Sequence, residues 1–113
     1  MALRSYATQD LRNLSRVVVL LDCQFTHEGV THKAVIVDIS IKGALLSAAF
    51  LPPNGSIITV TLNSPVTRKK LVFDGTVLRG TWVMTHDGKR GRLGIRISYA
   101  PVDLIALISK ANS

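Results

Sequence analysis

The stretch VVVLLDCQFTHEGVTHKAVIVDI, residues 17–39, decides the fold that this sequence predicts. Its first nine residues alternate between two sets, Val17, Val19, Leu21, Cys23, Phe25 and Val18, Leu20, Asp22, Gln24. A period of two is typical of a β-strand that buries one face. His27-Glu28-Gly29 predicts a turn, after which residues 30–39 alternate again. The stretch therefore predicts two strands joined by a turn.

The remainder of the chain continues the same pattern of short strands and turns. Four further segments have strand character, residues 44–48, 56–63, 71–84 and 92–98. Strong turn signals separate them, Pro52-Pro53-Asn54-Gly55 and the Asp-Gly pair within His86-Asp87-Gly88-Lys89. The long 71–84 segment is one strand or a bent pair, and its two glycines, Gly75 and Gly80, are the expected bulge or bend points.

After the last strand, Pro101 opens a short helix over residues 102–110, since proline is favoured in the first turn of a helix. The sequence thus predicts an all-β fold, a small six- to seven-stranded antiparallel β-barrel with a short C-terminal α-helix.

Composition limits the class of protein. The chain has 113 residues, which suits one domain, and 47% of them are hydrophobic, which argues against disorder. No aliphatic run approaches the roughly 20 residues that a membrane-spanning helix needs. Cys23 is the single cysteine, so an internal disulfide and a multi-cysteine zinc site are excluded. Residues 1–10 lack the apolar core of a secretion signal, and we expect a cytoplasmic protein.

Charge points to an anionic partner, because 14 basic residues against 7 acidic ones give a net charge of +7. Two motifs narrow the choice. Arg12 and Arg16 lie four residues apart just before the first strand, and Asp38, Ser40 and Gly43 follow the second strand. Guanidinium groups bind phosphate and guanine, an acid and a hydroxyl can hold the edge of a base, and glycine allows close backbone approach. Together they suit a guanine nucleotide with more than one phosphate.

On these residues the sequence resembles the PilZ family, bacterial domains that bind the second messenger cyclic di-GMP. Arg12 and Arg16 match the family's RxxxR motif, and Asp38, Ser40 and Gly43 match its [D/N]xSxxG motif. The resemblance covers about residues 10–110. It implies a flexible N-terminal arm, residues 1–14, that carries the arginine motif, and a PilZ-like β-barrel with its helix, residues 15–113.

The resemblance also implies a function. These five residues would bind cyclic di-GMP, and ordering of the arm would relay the signal to a protein partner that the sequence does not identify. We expect no enzyme activity, no cofactor, no metal site and no membrane insertion. Trp82, the single tryptophan, is a further candidate that could stack on a guanine.

Two alternatives remain open at this stage. One is a degenerate PilZ-like adaptor that binds only protein. The other is a basic small barrel that binds nucleic acid, which the aromatic content of 5% disfavours because such surfaces usually stack bases on aromatic rings.

Overall fold

The computed structural model describes residues 17–111 of the chain. Within this range six antiparallel strands precede one helix, as the sequence predicted. The strands are β1 (Val17–His27), β2 (Val30–Ile39), β3 (Gly43–Ala48), β4 (Ile57–Asn63), β5 (Lys70–Thr85) and β6 (Gly88–Ile97), and the helix is α1 (Val102–Ala111). The predicted arm, residues 1–14, lies outside the described residues. Among the described residues no helix is long and apolar enough to cross a membrane.

The strands close into a barrel in the order β1-β2-β3-β6-β5-β4. Closure is made by β4 against β1, where Phe25 faces Val60 and the flanking pairs continue the ladder. Closing the sheet satisfies backbone hydrogen-bonding groups that an open sheet would leave at its edges. The chain reaches β4 from β3 by crossing one mouth of the barrel, and Leu51 of that connection packs over Gly80 and Gly91.

The barrel interior is filled by the inward members of each alternating strand. Several large side chains there are less than 2% exposed, namely Phe25, Ile36, Ile39, Leu46, Ile58, Val60, Val77 and Leu93. Burying one such side chain stabilises the fold by about 1.5–3 kcal/mol, so this alternation is the main source of stability. The helix adds Leu104, Leu107 and Ile108 to the same core, whereas Val102 and Ile105 stay exposed.

Two tight hairpins have the turn chemistry that the sequence indicates. Between β1 and β2, Glu28 and Gly29 both have positive φ, 49° and 82°, the geometry of a type I′ turn. Between β5 and β6, the loop is reduced to His86 and Asp87, so β6 begins at Gly88 rather than at the predicted residue 92. The β5–β6 ribbon, residues 82–90, extends past the last pairs with β3 and β4 and is paired only within itself.

Gly75 and Gly80 were expected to be bulge or bend points of β5, and neither of them is a bulge. The strand is continuous, and its register shift against β6 falls between Val77 and Arg79, so that Leu78 is the extra residue. The two glycines are instead covered by side chains. A Cβ at Gly75 would lie 2.7 Å from Cδ1 of Ile95, and one at Gly80 would lie 3.3 Å from Leu51.

Cys23 is a buried core residue, with 6% of its surface exposed. Burial raises the pKa of its thiol from 9.0 to about 12, and the neighbouring Asp22 carboxylate adds to the rise. The thiol therefore stays protonated across the neutral range and is a poor nucleophile.

We predict that the Cys23 thiol of the folded protein contains roughly a thousandfold less thiolate at pH 8 than that of the unfolded chain. Alkylation by iodoacetamide should therefore be slow until denaturant is added. The unfolded thiol ionises near pH 9 and the folded thiol only near pH 12, so this group lowers stability as pH rises through that window. The free energy of unfolding of Cys23→Ala, measured by urea titration across this pH window, should therefore fall less than that of wild type. An equal fall in both proteins would contradict the prediction.

Candidate functional site

The turn between β2 and β3 is organised by the Ser40 hydroxyl. This oxygen accepts hydrogen bonds from the backbone amides of Lys42 (3.1 Å) and Gly43 (3.0 Å), and it donates to the Gly43 carbonyl (3.2 Å). The Ser40 amide also donates to the Gly43 carbonyl, at 2.7 Å. One donor and two acceptor positions are all that a hydroxyl has, so Ser40 is fully engaged in shaping the turn.

Gly43 is required by the close approach of β3 to β6. It pairs with Arg96, and a Cβ added to it would lie 2.6 Å from the Ile95 carbonyl oxygen. Contact that close with backbone cannot be relieved by a side-chain rotation. The neighbouring hydrogen bond from the Ile97 amide to the Lys42 carbonyl, 2.7 Å, ties the same turn to β6. The φ of Gly43 is not in the left-handed region, so the close approach of β6 is what requires glycine at this position.

Asp38 reaches the outer face of the barrel because β2 contains a bulge. Strict alternation after the buried Ile36 would turn Asp38 inward and Ile39 outward. The register shift between Ile36 and Asp38 inserts one extra residue against β3, so Ile39 is buried and Asp38 is half-buried on the outside. Asp38 then faces Val18 on β1 and Leu45 on β3.

These three motif residues line one side of an open groove of about 360 Å³ on the outside of the barrel. Lys42 lines the same side, and Leu78 and Arg79 of β5 line the opposite one. Gly94 of β6 lies on the floor. The structure therefore brings Asp38, Ser40 and Gly43 together at one depression, as a binding site requires.

The groove has a regular cross-strand geometry. Asp38 pairs with Leu45, Leu45 pairs with Gly94, and Gly94 pairs with Arg79, so the four residues form one row across β2, β3, β6 and β5. Three inter-strand steps separate the Cα atoms of Asp38 and Arg79 by about 14–15 Å along the sheet. The Asp38 carboxylate and the Arg79 guanidinium are therefore carried at opposite edges of the groove. Gly94, which lies on the floor between them, has no side chain.

The remaining predicted candidates lie elsewhere. Arg12 and Arg16 are outside the described residues. Trp82 lies on the β5–β6 ribbon, 47% exposed, with the Lys89 ammonium 5.2 Å from its ring, and it does not line the groove. Its proposed stacking on a guanine stays a prediction. A larger depression, about 580 Å³ and lined by Asp22, Lys33 and Lys70 among others, contains none of the predicted site residues.

Two of the three histidines, His27 and His32, pack against phenylalanine rings. His32 stacks between Phe25, at 5.1 Å between ring centroids, and Phe50, at 4.4 Å, while His27 is tilted against Phe50 at 5.8 Å. Over residues 17–111, no three His, Cys, Asp or Glu side chains are grouped as a metal site would need.

Sequence reasoning missed Lys42, Leu78 and Arg79. Arg79 stands two residues after the buried Val77, so simple alternation would place it inside the barrel. A charged residue at an inward position of a strand pattern is itself a sign that the strand contains a bulge, and that sign was present in the sequence.

Comparison with known proteins supports the fold described above. The PilZ domain family model matches residues 10–109 of the chain. No curated protein sequence matches it significantly. Among solved structures, the chain is similar to the Bacillus subtilis inhibitor of motility MotI/DgrA, with a TM-score of 0.70 and 16% identity over 87% of this chain and 48% of that one.

Two further similar structures contain c-di-GMP. The PilZ domain of Escherichia coli YcgR with c-di-GMP has a TM-score of 0.62 and 14% identity, covering 84% of this chain and 83% of that one. Borreliella burgdorferi PlzA in complex with c-di-GMP has a TM-score of 0.61 and 14% identity, covering 93% and 55%. The chain spans about half the length of MotI/DgrA and PlzA. At these identities the likeness concerns the fold.

We predict that alanine is tolerated at one glycine of the groove and not at another. Gly43→Ala should destabilise the protein by about 1–3 kcal/mol, because its methyl group meets the Ile95 carbonyl. Gly94→Ala is the matched control. Its Cβ would have its nearest neighbour, the Arg79 carbonyl oxygen, at 3.8 Å, so stability should stay within about 0.5 kcal/mol of wild type. Urea unfolding measures both, and equal stability of the two variants would contradict this role of Gly43.

Proposed function

The chain belongs to the PilZ domain family, and on that premise we propose that it is a receptor for cyclic di-GMP. PilZ domains are binding domains, so the activity proposed is recognition without chemistry on the ligand. The observation that carries the proposal is the meeting of Asp38, Ser40 and Gly43 at one groove on the outside of the barrel.

The chemistry of the groove suits a guanine base. A carboxylate accepts hydrogen bonds only, through two oxygens, and the Watson–Crick edge of guanine presents two N–H donors side by side. Asp38 would accept from that edge. Ser40 would act through the turn, since its hydroxyl is engaged by Lys42 and Gly43, and Gly43 would allow the ligand to approach the strand closely.

The arginine motif is proposed to bind the phosphates and the second face of the guanine. Chain geometry supports this. Val17 faces Ile39 and Val18 faces Asp38, so β1 begins beside the motif turn. Arg16 is one peptide bond away from Val17, and Arg12 is five residues away, a reach of at most about 18 Å. Both arginines are therefore attached to the chain close enough to reach a ligand in the groove.

We further propose that residues 1–14 are an arm that becomes ordered when the ligand binds, and that the ordered arm presents a surface to a protein partner. A ligand held between arm and barrel would favour one arrangement of the arm over the others, which is the thermodynamic requirement for a switch.

The proposal is tested by isothermal titration calorimetry with cyclic di-GMP. Wild type should bind saturably in the micromolar range, about −8 kcal/mol. Arg12→Ala, Arg16→Ala and Asp38→Ala should each weaken binding at least about tenfold, because each removes a charge-assisted contact. Arg68→Ala, in the β4–β5 loop, and Asp22→Ala, in the larger depression, are charge-matched controls that should bind as wild type does.

Three results would contradict the proposal in different ways. Wild-type affinity in all three test variants would remove those residues from the site. No saturable heat with wild type would overturn the receptor function and favour an adaptor that binds only protein. Salt-dependent binding of a single-stranded oligonucleotide without binding of cyclic di-GMP would assign the basic surface to nucleic acid.

A further inference from the structure

We propose that Arg79 is a third cationic ligand-binding residue, supplied by the barrel itself, and that it binds a phosphate group of the dinucleotide held in the groove. This inference rests on the proposed function. It concerns a residue that belongs to neither sequence motif and that lies on β5, on the side of the groove opposite Asp38.

The position of Arg79 is produced by the bulge at Leu78. Val77 is buried in the core, and Gly80 faces inward under Leu51. Two residues therefore stand between inward positions where a regular strand has one, and both Leu78 and Arg79 are exposed. Bulges often re-aim side chains next to binding sites. Here the extra residue converts an inward position into a groove-lining arginine.

The bulges of β2 and β5 act on the same row of the sheet. One places Asp38 outside and the other places Arg79 outside, and Leu45 and Gly94 lie between them in register. Because Gly94 has no side chain, a ligand can lie across β6 and reach both edges. The span of about 14–15 Å along the sheet suits a molecule with a base at one end and a phosphate further along.

The electrostatic surroundings favour an anion beside Arg79. Its guanidinium makes no hydrogen bond or ion pair with another residue of the described range 17–111. Arg92 and Arg96 flank Gly94 on the outer face of β6, since they lie two residues to either side of it, and Lys42 lines the groove. Asp38 is the one carboxylate among the lining residues. The Arg79 edge thus carries excess positive charge that a phosphate would neutralise.

Leu78 makes the same edge suitable for a nucleotide rather than a bare inorganic ion. Its side chain is 54% exposed and lines the groove next to Arg79. An apolar and a cationic side chain side by side match a sugar or base face joined to a phosphate, since nucleotide sites combine apolar surface with a few placed charges.

The test is cyclic di-GMP titration of the full chain carrying Arg79→Gln. Affinity should fall about tenfold or more, the loss expected for one charge-assisted contact. Arg79→Lys should stay within about threefold of wild type, because lysine also binds phosphate as a point charge. Arg68→Gln removes the same charge from the β4–β5 loop and should leave affinity unchanged. Wild-type affinity should also decrease more steeply with NaCl than that of Arg79→Gln.

The possible results separate the Arg79 contact from the proposed receptor function. If wild type binds and Arg79→Gln binds equally well, the inference is wrong and the proposed function stands. If Arg79→Lys loses as much affinity as Arg79→Gln, or if Arg68→Gln loses as much, the phosphate contact is wrong. If wild type itself does not bind, both proposals are wrong. Arg79→Met, which keeps the unbranched stem, replaces the glutamine variant should that variant fail to give the wild-type circular dichroism spectrum.

Discussion

The two-residue period of a β-strand is the constraint on which this groove depends. Successive side chains point to opposite faces, so β2 cannot bury both Ile36 and Ile39 and still present Asp38 outside unless it contains an extra residue. β5 meets the same problem between Val77 and Gly80. Both strands contain a bulge at this point. In the register of β2, β3, β6 and β5, the exposed Asp38 and Arg79 then lie on one row of the sheet. Core packing and site geometry are thus set by the same backbone irregularities.

This constraint explains how far the sequence could predict the molecule. Alternation is local information, and it correctly predicted a β-barrel, most of its strands near their observed bounds, and a C-terminal helix. Register is not local, because it depends on which residue of a neighbouring strand each residue faces. Gly75 and Gly80 suggested bulges because glycine tolerates unusual backbone angles. The structure uses their lack of a side chain instead, and places the bulge at Leu78.

The motif residues illustrate a second limit. The sequence indicated Asp38, Ser40 and Gly43 as one motif, and the structure places all three along one groove. Residue type alone did not separate a group that touches a ligand from one that shapes the turn. The hydrogen bonds of Ser40 and the contact distance at Gly43 make that separation, because both residues are already committed to backbone neighbours. Asp38 lies at the edge of the groove, in the same row as Arg79.

Closure of the barrel has a consequence for how this domain meets other chains. In a closed sheet the backbone amides and carbonyls of each strand are used by its neighbours, so strand addition has no template there. Among the described residues, closure does not extend along every strand, since Val17–Cys23 of β1 pair only with β2, and residues 82–90 of the β5–β6 ribbon pair only with one another. That ribbon carries Lys89 and Arg90 on one strand, and cationic side chains at an unpaired edge oppose the edge-to-edge stacking that leads to aggregation.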